Sequence, residues 1–316
     1  MRLNLHMLNG CHVVAMEVPA WETKLTAADI ERQLRLADEL GFWKVTVPEH
    51  FAIPAAHIEL SGDHYTHPTT ALGFCAGVTR SLRLASWITI LPLQHPLVQA
   101  KMWATLDWLS GGRAEIVAAV GWLEAEYEML GLPFSERGAI FDEYIPAMME
   151  LWTKDLASFE GRYVNFRDVG ARPKPVQKSI PLWFGGDAKP VLRRVARWGA
   201  GWSPFMTPPD RIPEQLDWMK SQPDYHGRPI EVIYSTFMLR FAKEKDTVHA
   251  IRRAPEADPL EDAQKLVDQL GYLAQLGVTE TDIARPAHRD LEEYLDWLRW
   301  LAADIMPHLR QEAART

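Results

Sequence analysis

A closed barrel of eight parallel strands alternating with helices, the (β/α)8 or TIM-barrel architecture of the α/β class, is the fold this sequence predicts. Three observations predict it. Short apolar, β-branched runs alternate with helical-period segments along nearly the whole chain, and eight such pairs can be counted. The 316 residues exceed the ~250 that such a barrel needs. Regular alternation points to parallel strands, and eight of them to closure rather than an open sheet.

The elements follow in order. Leu3, Leu5 and Met7, apolar at alternate positions, predict the first strand. Thr26-Ala27-Ala28-Asp29 resembles a capping box with Asp for Glu, and Ile30, Leu34, Ala37 and Leu40 share one helical face before Gly41 stops the helix. The run 41–48 is the second strand and closes on Glu49-His50. Residues 68–78 predict a helix and 82–91 the third strand. Pro96 suits a first helical turn, and Val98, Met102, Leu106 and Leu109 recur at helical spacing up to Ser110-Gly111-Gly112. Residues 116–120 form a short strand running into Gly121, and Ser135 with Glu136 opens a helix to Trp152 in which Pro146 predicts a kink. The rhythm breaks over 156–180, where 159–166 reads as a hairpin and 172–175 as an extended linker. It resumes with strands 182–184, 201–203, 230–241 and 278–283, and with helices 190–198, 213–220, 258–276 and 291–305, the third capped by Asp258 with Pro259 in its first turn. One barrel domain over 1–316 is expected, with insertion loops at about 51–67, 156–180 and 242–257.

Composition narrows the function. A formal charge of -8 and a pI near 5.8 argue against nucleic acid or an anionic membrane as partner, since both require a basic face. Cys11 and Cys75 are too few for a disulfide framework and lie in no metal-type spacing, so a cytoplasmic protein is expected. No segment has the ~18 uninterrupted apolar residues of a membrane span. A small-molecule partner fits best.

Three constellations lie just after predicted strands, at the barrel end where active sites are built. Glu49-His50 pairs a carboxylate with the side chain best suited to exchange a proton near neutral pH. Gly185-Gly186-Asp187 stands between a strand and a helix, so its backbone is free to aim N–H groups at an anion beside a helix N-terminus; it would equally make a plain turn. Asp187 would repel a phosphate if it faced the same way, and could cap the helix instead, while Lys189 and Arg193 offset it. Gly121-Trp122 lets a bulky ligand approach the backbone, or simply turns the chain. A fourth group, His57, His64 and His67 with Glu59 and Asp63, shares no helix and no standard ligand spacing, and reads as a loop or lid rather than a metal site. No Ser or Cys lies in a nucleophile-elbow pattern.

Taken in order, Glu49-His50-Phe51, residues 91–96, Asp107-Trp108-Leu109-Ser110-Gly111-Gly112-Arg113, residues 121–127, residues 134–138, Trp183-Phe184-Gly185-Gly186 and residues 199–202 make the chain resemble the luciferase-like flavin and deazaflavin oxidoreductases, most closely the branch using coenzyme F420. That resemblance implies a bacterial-luciferase-like barrel with the coenzyme ring at its C-terminal mouth. It implies that His50 exchanges a proton beside the ring, that Gly185 and Gly186 hold the phosphate, that Thr89 and Ile90 lie where the third strand bulges behind the ring, and that Gly121-Trp122 lies where the fourth strand meets it. The function implied is hydride transfer between F420 and a small organic substrate by a homodimer. An FMNH2-dependent monooxygenase using oxygen is the alternative on the same fold, and a barrel metallohydrolase built on the loop histidines the alternative from another class.

Overall fold

The computed structural model describes residues 1–13, 18–241 and 263–313. Eight strands form one sheet, and every adjacent pair in it is parallel: β1 (Arg2–His6), β2 (Lys44–Val47), β3 (Arg83–Ile90), β4 (Ala114–Ala119), β5 (Leu182–Gly185), β6 (Gly201–Ser203), β7 (Glu231–Val232) and β8 (Glu280–Asp282). Their order is β7-β6-β5-β4-β3-β2-β1-β8, and a parallel bridge from Ile233 to Glu280 joins the two edges. Helices α1 (Ala27–Leu40), α2 (Pro68–Val78), α3 (Pro96–Ser110), α4 (Arg137–Thr153), α5 (Lys189–Trp198), α6 (Ile212–Lys220), α7 (Ala263–Gln275) and α8 (Leu291–Trp300) each follow the strand of the same number. Outward-facing residues such as Leu5, Val45, Leu84, Ile116 and Phe184 form a continuous apolar core with the helices.

Local chemistry explains several boundaries. The Thr26 hydroxyl accepts the Asp29 N–H while the Asp29 carboxylate accepts the Thr26 N–H, the expected capping box, and Gly41 ends α1 at φ 80°. Asp290 caps α8 by accepting the Glu293 N–H.

Several expectations are corrected. Strand 230–241 shrinks to Glu231–Val232 with ladder bonds continuing to Thr236, because the Ser235 hydroxyl accepts the Phe237 N–H and the chain turns into helix Met238–Phe241. The segment 51–67 is not all loop: it holds helix Ala55–Ser61 and a two-residue strand, His64–Tyr65, paired antiparallel with Cys11–His12. The helix expected to end at Trp152 is α4, which keeps Pro146 inside it at the cost of one backbone hydrogen bond while Tyr144, Ile145, Met148, Leu151 and Trp152 bury its apolar face. Helix α8 continues through a π-turn, Leu301–Ile305, to Ala313. The hairpin within 156–180 is present as Ala157–Glu160 paired with Asn165–Val169. The cap at Asp258-Pro259 and the insertion 242–257 lie outside the described residues. Among the described residues no helix is long and apolar enough to cross a membrane.

The barrel interior is layered. Near its N-terminal end, Lys44 is fully buried, with its ammonium 2.5 Å from Glu115 and 2.6 Å from Glu280 and 4.3 Å from the centre of the Trp183 ring. Arg2 adds a second ion pair to Glu280, and Arg83 one to Glu115. Burial raises the pKa of Glu115, but the charges of Lys44 and Arg83 more than offset this and hold the carboxyl below its ordinary value. Gly201 has no side chain because a Cβ there would lie 2.2 Å from the Trp183 ring.

Lys44→Met strands two buried carboxylates with one arginine each. It is expected to lower folding stability by about 3 kcal/mol, read from the shift in denaturant midpoint; an unchanged midpoint would show that the arginines alone neutralise the layer.

Candidate active site

The C-terminal ends of the strands form the mouth. Pro48 ends β2, and the chain then delivers His50 to the rim. The short helix Glu124–Met129, which follows β4, delivers Glu126 to the same place. Glu126 Oε2 lies 2.8 Å from His50 Nδ1, and its Oε1 accepts the N–H groups of Phe51 at 2.7 Å and Ala52 at 3.4 Å. A carboxylate only accepts, so the hydrogen sits on Nδ1 and Nε2 is left as the outward-facing nitrogen. Glu126 is 1% exposed and the His50 side chain 12%. The Tyr65 ring meets the imidazole edge-on at 4.8 Å, and Trp122, half exposed, lies 6.1 Å away.

Glu49 points elsewhere. Its buried carboxylate accepts the Ile90 N–H at 2.6 Å and so ties the end of β2 to the end of β3. Burial pushes its pKa up to about 7, the Ile90 hydrogen bond pulls it down, and the charge of Glu126 raises it further. Here β3 carries a bulge: Trp87 pairs with Val117 and Thr89 with Ala118, leaving Ile88 as the extra residue after a cis Trp87-Ile88 peptide. Trp87 and Ile88 are half-buried between buried neighbours, and the Trp87 indole N–H donates to Ser203 Oγ at 2.8 Å. Thr89 Oγ1 is buried with no partner, and Ile90 packs against Gly121, where at φ 74° a Cβ would lie 2.6 Å from Ile90 Cγ2.

Across the mouth, a Cβ on Gly185 would meet Ile88 Cγ2 at 3.3 Å. Gly186, at φ 120°, donates its N–H to the Ser203 carbonyl and accepts the Trp202 indole N–H. The Asp187 carboxylate faces the next loop and accepts from the N–H groups of Phe205, Met206 and Thr207 and from the Thr207 hydroxyl. It does not cap α5, whose N-cap is Ala188 with no side-chain bond. The turn therefore offers an anion the N–H groups of a helix start, reduced by Pro190, together with exposed Lys189 and Arg193. A flat ring with an anionic tail fits this arrangement: the bulge supplies a backing surface, Gly121 and Gly185 give Ile90 and Ile88 the room to form it, and the start of α5 with Lys189 and Arg193 supplies N–H groups and positive charge.

The structure thus gathers His50, Glu49, Thr89, Ile90, Gly121 and Trp122 around the bulge, with Gly185 and Gly186 opposite and Asp187 turned away. Glu126 had no assigned role in the sequence: it lies in the segment 121–127 that carries the resemblance, but nothing there separates it from Glu124 and Glu128, and the strand order is what brings it to His50. The loop histidines separate. His57 faces Trp122 at 5.6 Å, His64 stacks on His12 at 4.1 Å, and His67 Nε2 lies 3.0 Å from the Gln94 amide nitrogen. Among the described residues no three groups are placed to hold a metal.

Comparison with known proteins agrees. Residues 9–294 match the family model of the luciferase-like monooxygenases. An uncharacterized protein of Mycobacterium tuberculosis is 32% identical over 285 residues, 86% of this chain and 92% of that one. The FMNH2-dependent dimethylsulfone monooxygenase of Pseudomonas putida is 28% identical over 171 residues, 52% of this chain and 47% of its own. The coenzyme F420-dependent tetrahydromethanopterin reductase of Methanopyrus kandleri superposes with a TM-score of 0.72 at 18% identity, covering 97% of this chain and 99% of that one, a likeness of fold alone.

The raised pKa of Glu49 has a stability consequence. Between its ordinary 4.5 and about 7 the folded state holds a proton that the unfolded chain has released, so this group's contribution falls as pH rises through that window. Glu49→Gln keeps an acceptor for Ile90 and cannot ionise. Relative to the parent it is expected to gain up to about 3 kcal/mol between pH 5 and pH 8, measured from denaturant midpoints at both; a pH-independent difference would show that Glu49 titrates alike in both states.

Proposed function

We propose that this chain, which belongs to the luciferase-like monooxygenase family, is an oxidoreductase that moves a hydride between coenzyme F420 and a small organic substrate at the barrel mouth. The observation that carries this reading is the His50–Glu126 pair beside the bulge of β3. When bound, the coenzyme supplies the redox chemistry. His50, fixed by Glu126 through Nδ1, presents Nε2 to take or give the proton that accompanies hydride transfer. Ile88 and the glycines at 121 and 185 support one ring face and leave the other to the substrate. The start of α5, with Lys189 and Arg193, attracts the anionic tail. Tyr65 and Trp122 surround the imidazole with aromatic surface and shield it from water.

A second reading, an FMNH2-dependent monooxygenase, is favoured by the Pseudomonas putida relative and would use the same residues. The metallohydrolase reading has no such support, because the loop histidines face different partners. Assembly as a homodimer is proposed on the exposed apolar face of α3, where Val98 and Leu109 lie three turns apart.

Fluorescence titration with F420 and with FMN separates the two readings: tight FMN binding without F420 binding would sink the first. His50→Gln is expected to bind coenzyme within a few-fold of the parent while losing about 10²-fold or more in turnover. Glu126→Gln, which keeps the shape and loses the charge, is expected to fall between. Undiminished turnover in His50→Gln would remove the proton-transfer role.

A further inference from the structure

A second histidine stands on the floor of the mouth. His6 ends β1 and points into the barrel above the Lys44 layer, with its side chain 53% exposed and its ring stacked at 5.4 Å on Trp87, the residue before the bulge. Its Nε2 lies 3.4 Å from Asp282 Oδ2 on β8, and its Nδ1 lies 2.8 Å from the Thr46 hydroxyl on β2. Asp282 is 6% exposed; Ser235 donates to its Oδ2 at 2.8 Å, and its Oδ1 is buried without a partner. Of the groups that face His6, only Asp282 is ionisable: Thr46, Trp87 and Ser235 are neutral, and the deeper Lys44 and Glu280 are paired with each other.

The Thr46 hydroxyl has one hydrogen and two acceptors in reach, the Leu5 carbonyl at 3.3 Å and His6 Nδ1 at 2.8 Å. When the imidazole is neutral with its hydrogen on Nε2, facing Asp282, the hydroxyl donates to Nδ1. When the ring is protonated, both nitrogens donate; the hydroxyl turns to Leu5 and accepts from Nδ1. The Thr46 contact therefore serves both protonation states on one heavy-atom frame, and the Asp282 carboxylate lies within ion-pair distance of Nε2. A histidine kept only for packing needs one state and no exposure.

We propose that His6, with Asp282 and Thr46 as positioning residues, is a second proton-exchanging group of this site, loaded from solvent and stacked beside the bulge of β3. The proton leaves Nε2 for a basic atom of the molecule seated above; the neutral ring keeps its hydrogen on Nδ1, where the Thr46 hydroxyl still accepts it, until Nε2 is reloaded from solvent. This rests on the coenzyme-site reading of the mouth, but the titration that defines it does not need a coenzyme.

Long-range 1H–15N spectra of the full chain test it. His6 is expected to titrate reversibly, with the Nε2–H tautomer at high pH. Thr46→Val removes the acceptor that the charged ring needs more than the donor that the neutral ring needs, and should lower the midpoint by about one pH unit; Thr46→Ser should restore it. Bound F420 or FMN should move the His6 midpoint again. A His6 locked in one state from about pH 5 to pH 9, a Thr46→Val midpoint equal to the parent's, or a His6 indifferent to bound coenzyme would each overturn the proposal. If neither coenzyme binds, the reading of the function fails instead, and the two titration arms still decide His6.

Discussion

Closure of the sheet is the constraint on which everything else rests. Once Ile233 bridges to Glu280, the eight strands enclose a space only wide enough for side chains, and every inward position must be filled and electrically balanced. The deeper layer does this with charge. Arg2, Lys44 and Arg83 face Glu115, Glu231 and Glu280, so three cations meet three carboxylates and no charge is left uncompensated. Bulk comes from Trp183, for which Gly201 gives up its side chain. Above that layer the inward residues become small or polar, among them Thr46, Gly185, Ser203 and Ser235, and the space they leave is the mouth.

Two neighbouring residues divide the work at the rim. Glu49 and His50 follow one another, yet the carboxylate turns inward to hold the bulged strand and the imidazole turns outward to Glu126. The bulge therefore has a fixed position relative to His50: Glu49 holds Ile90 by its amide, and Gly121 lets Ile90 settle against the fourth strand. Surfaces that would support a ring and a group that would move its proton are set by one dipeptide.

Much of this was legible in the sequence because it depends on local signals. Alternation, the Thr26 cap, the glycine stops and the strand-end position of Glu49-His50 are readable without the fold. What was hidden depends on strand order or on side-chain competition. Glu126 lies 76 residues from His50 and acts through a carboxylate that resembles its acidic neighbours. His6 looked like one polar interruption in an apolar strand, and its partners come from β2 and β8. Asp187 was identified by place in the turn, but the hydrogen bonds of 205–207 decide where its carboxylate points. The run 230–241 kept its apolar character while Ser235 ended the strand, since hydropathy does not register a hydroxyl capturing an amide.

Glu126 also links the two residues it lies beside. Its negative charge raises the pKa of Glu49, whose other determinants, burial and the Ile90 hydrogen bond, are fixed by the fold. Ionised Glu49 grips the Ile90 amide more strongly than the neutral acid does, because a charged acceptor makes the stronger hydrogen bond. One buried carboxylate, Glu126, thus fixes the imidazole at Nδ1 and by its charge favours the protonated form of the residue that holds the bulge.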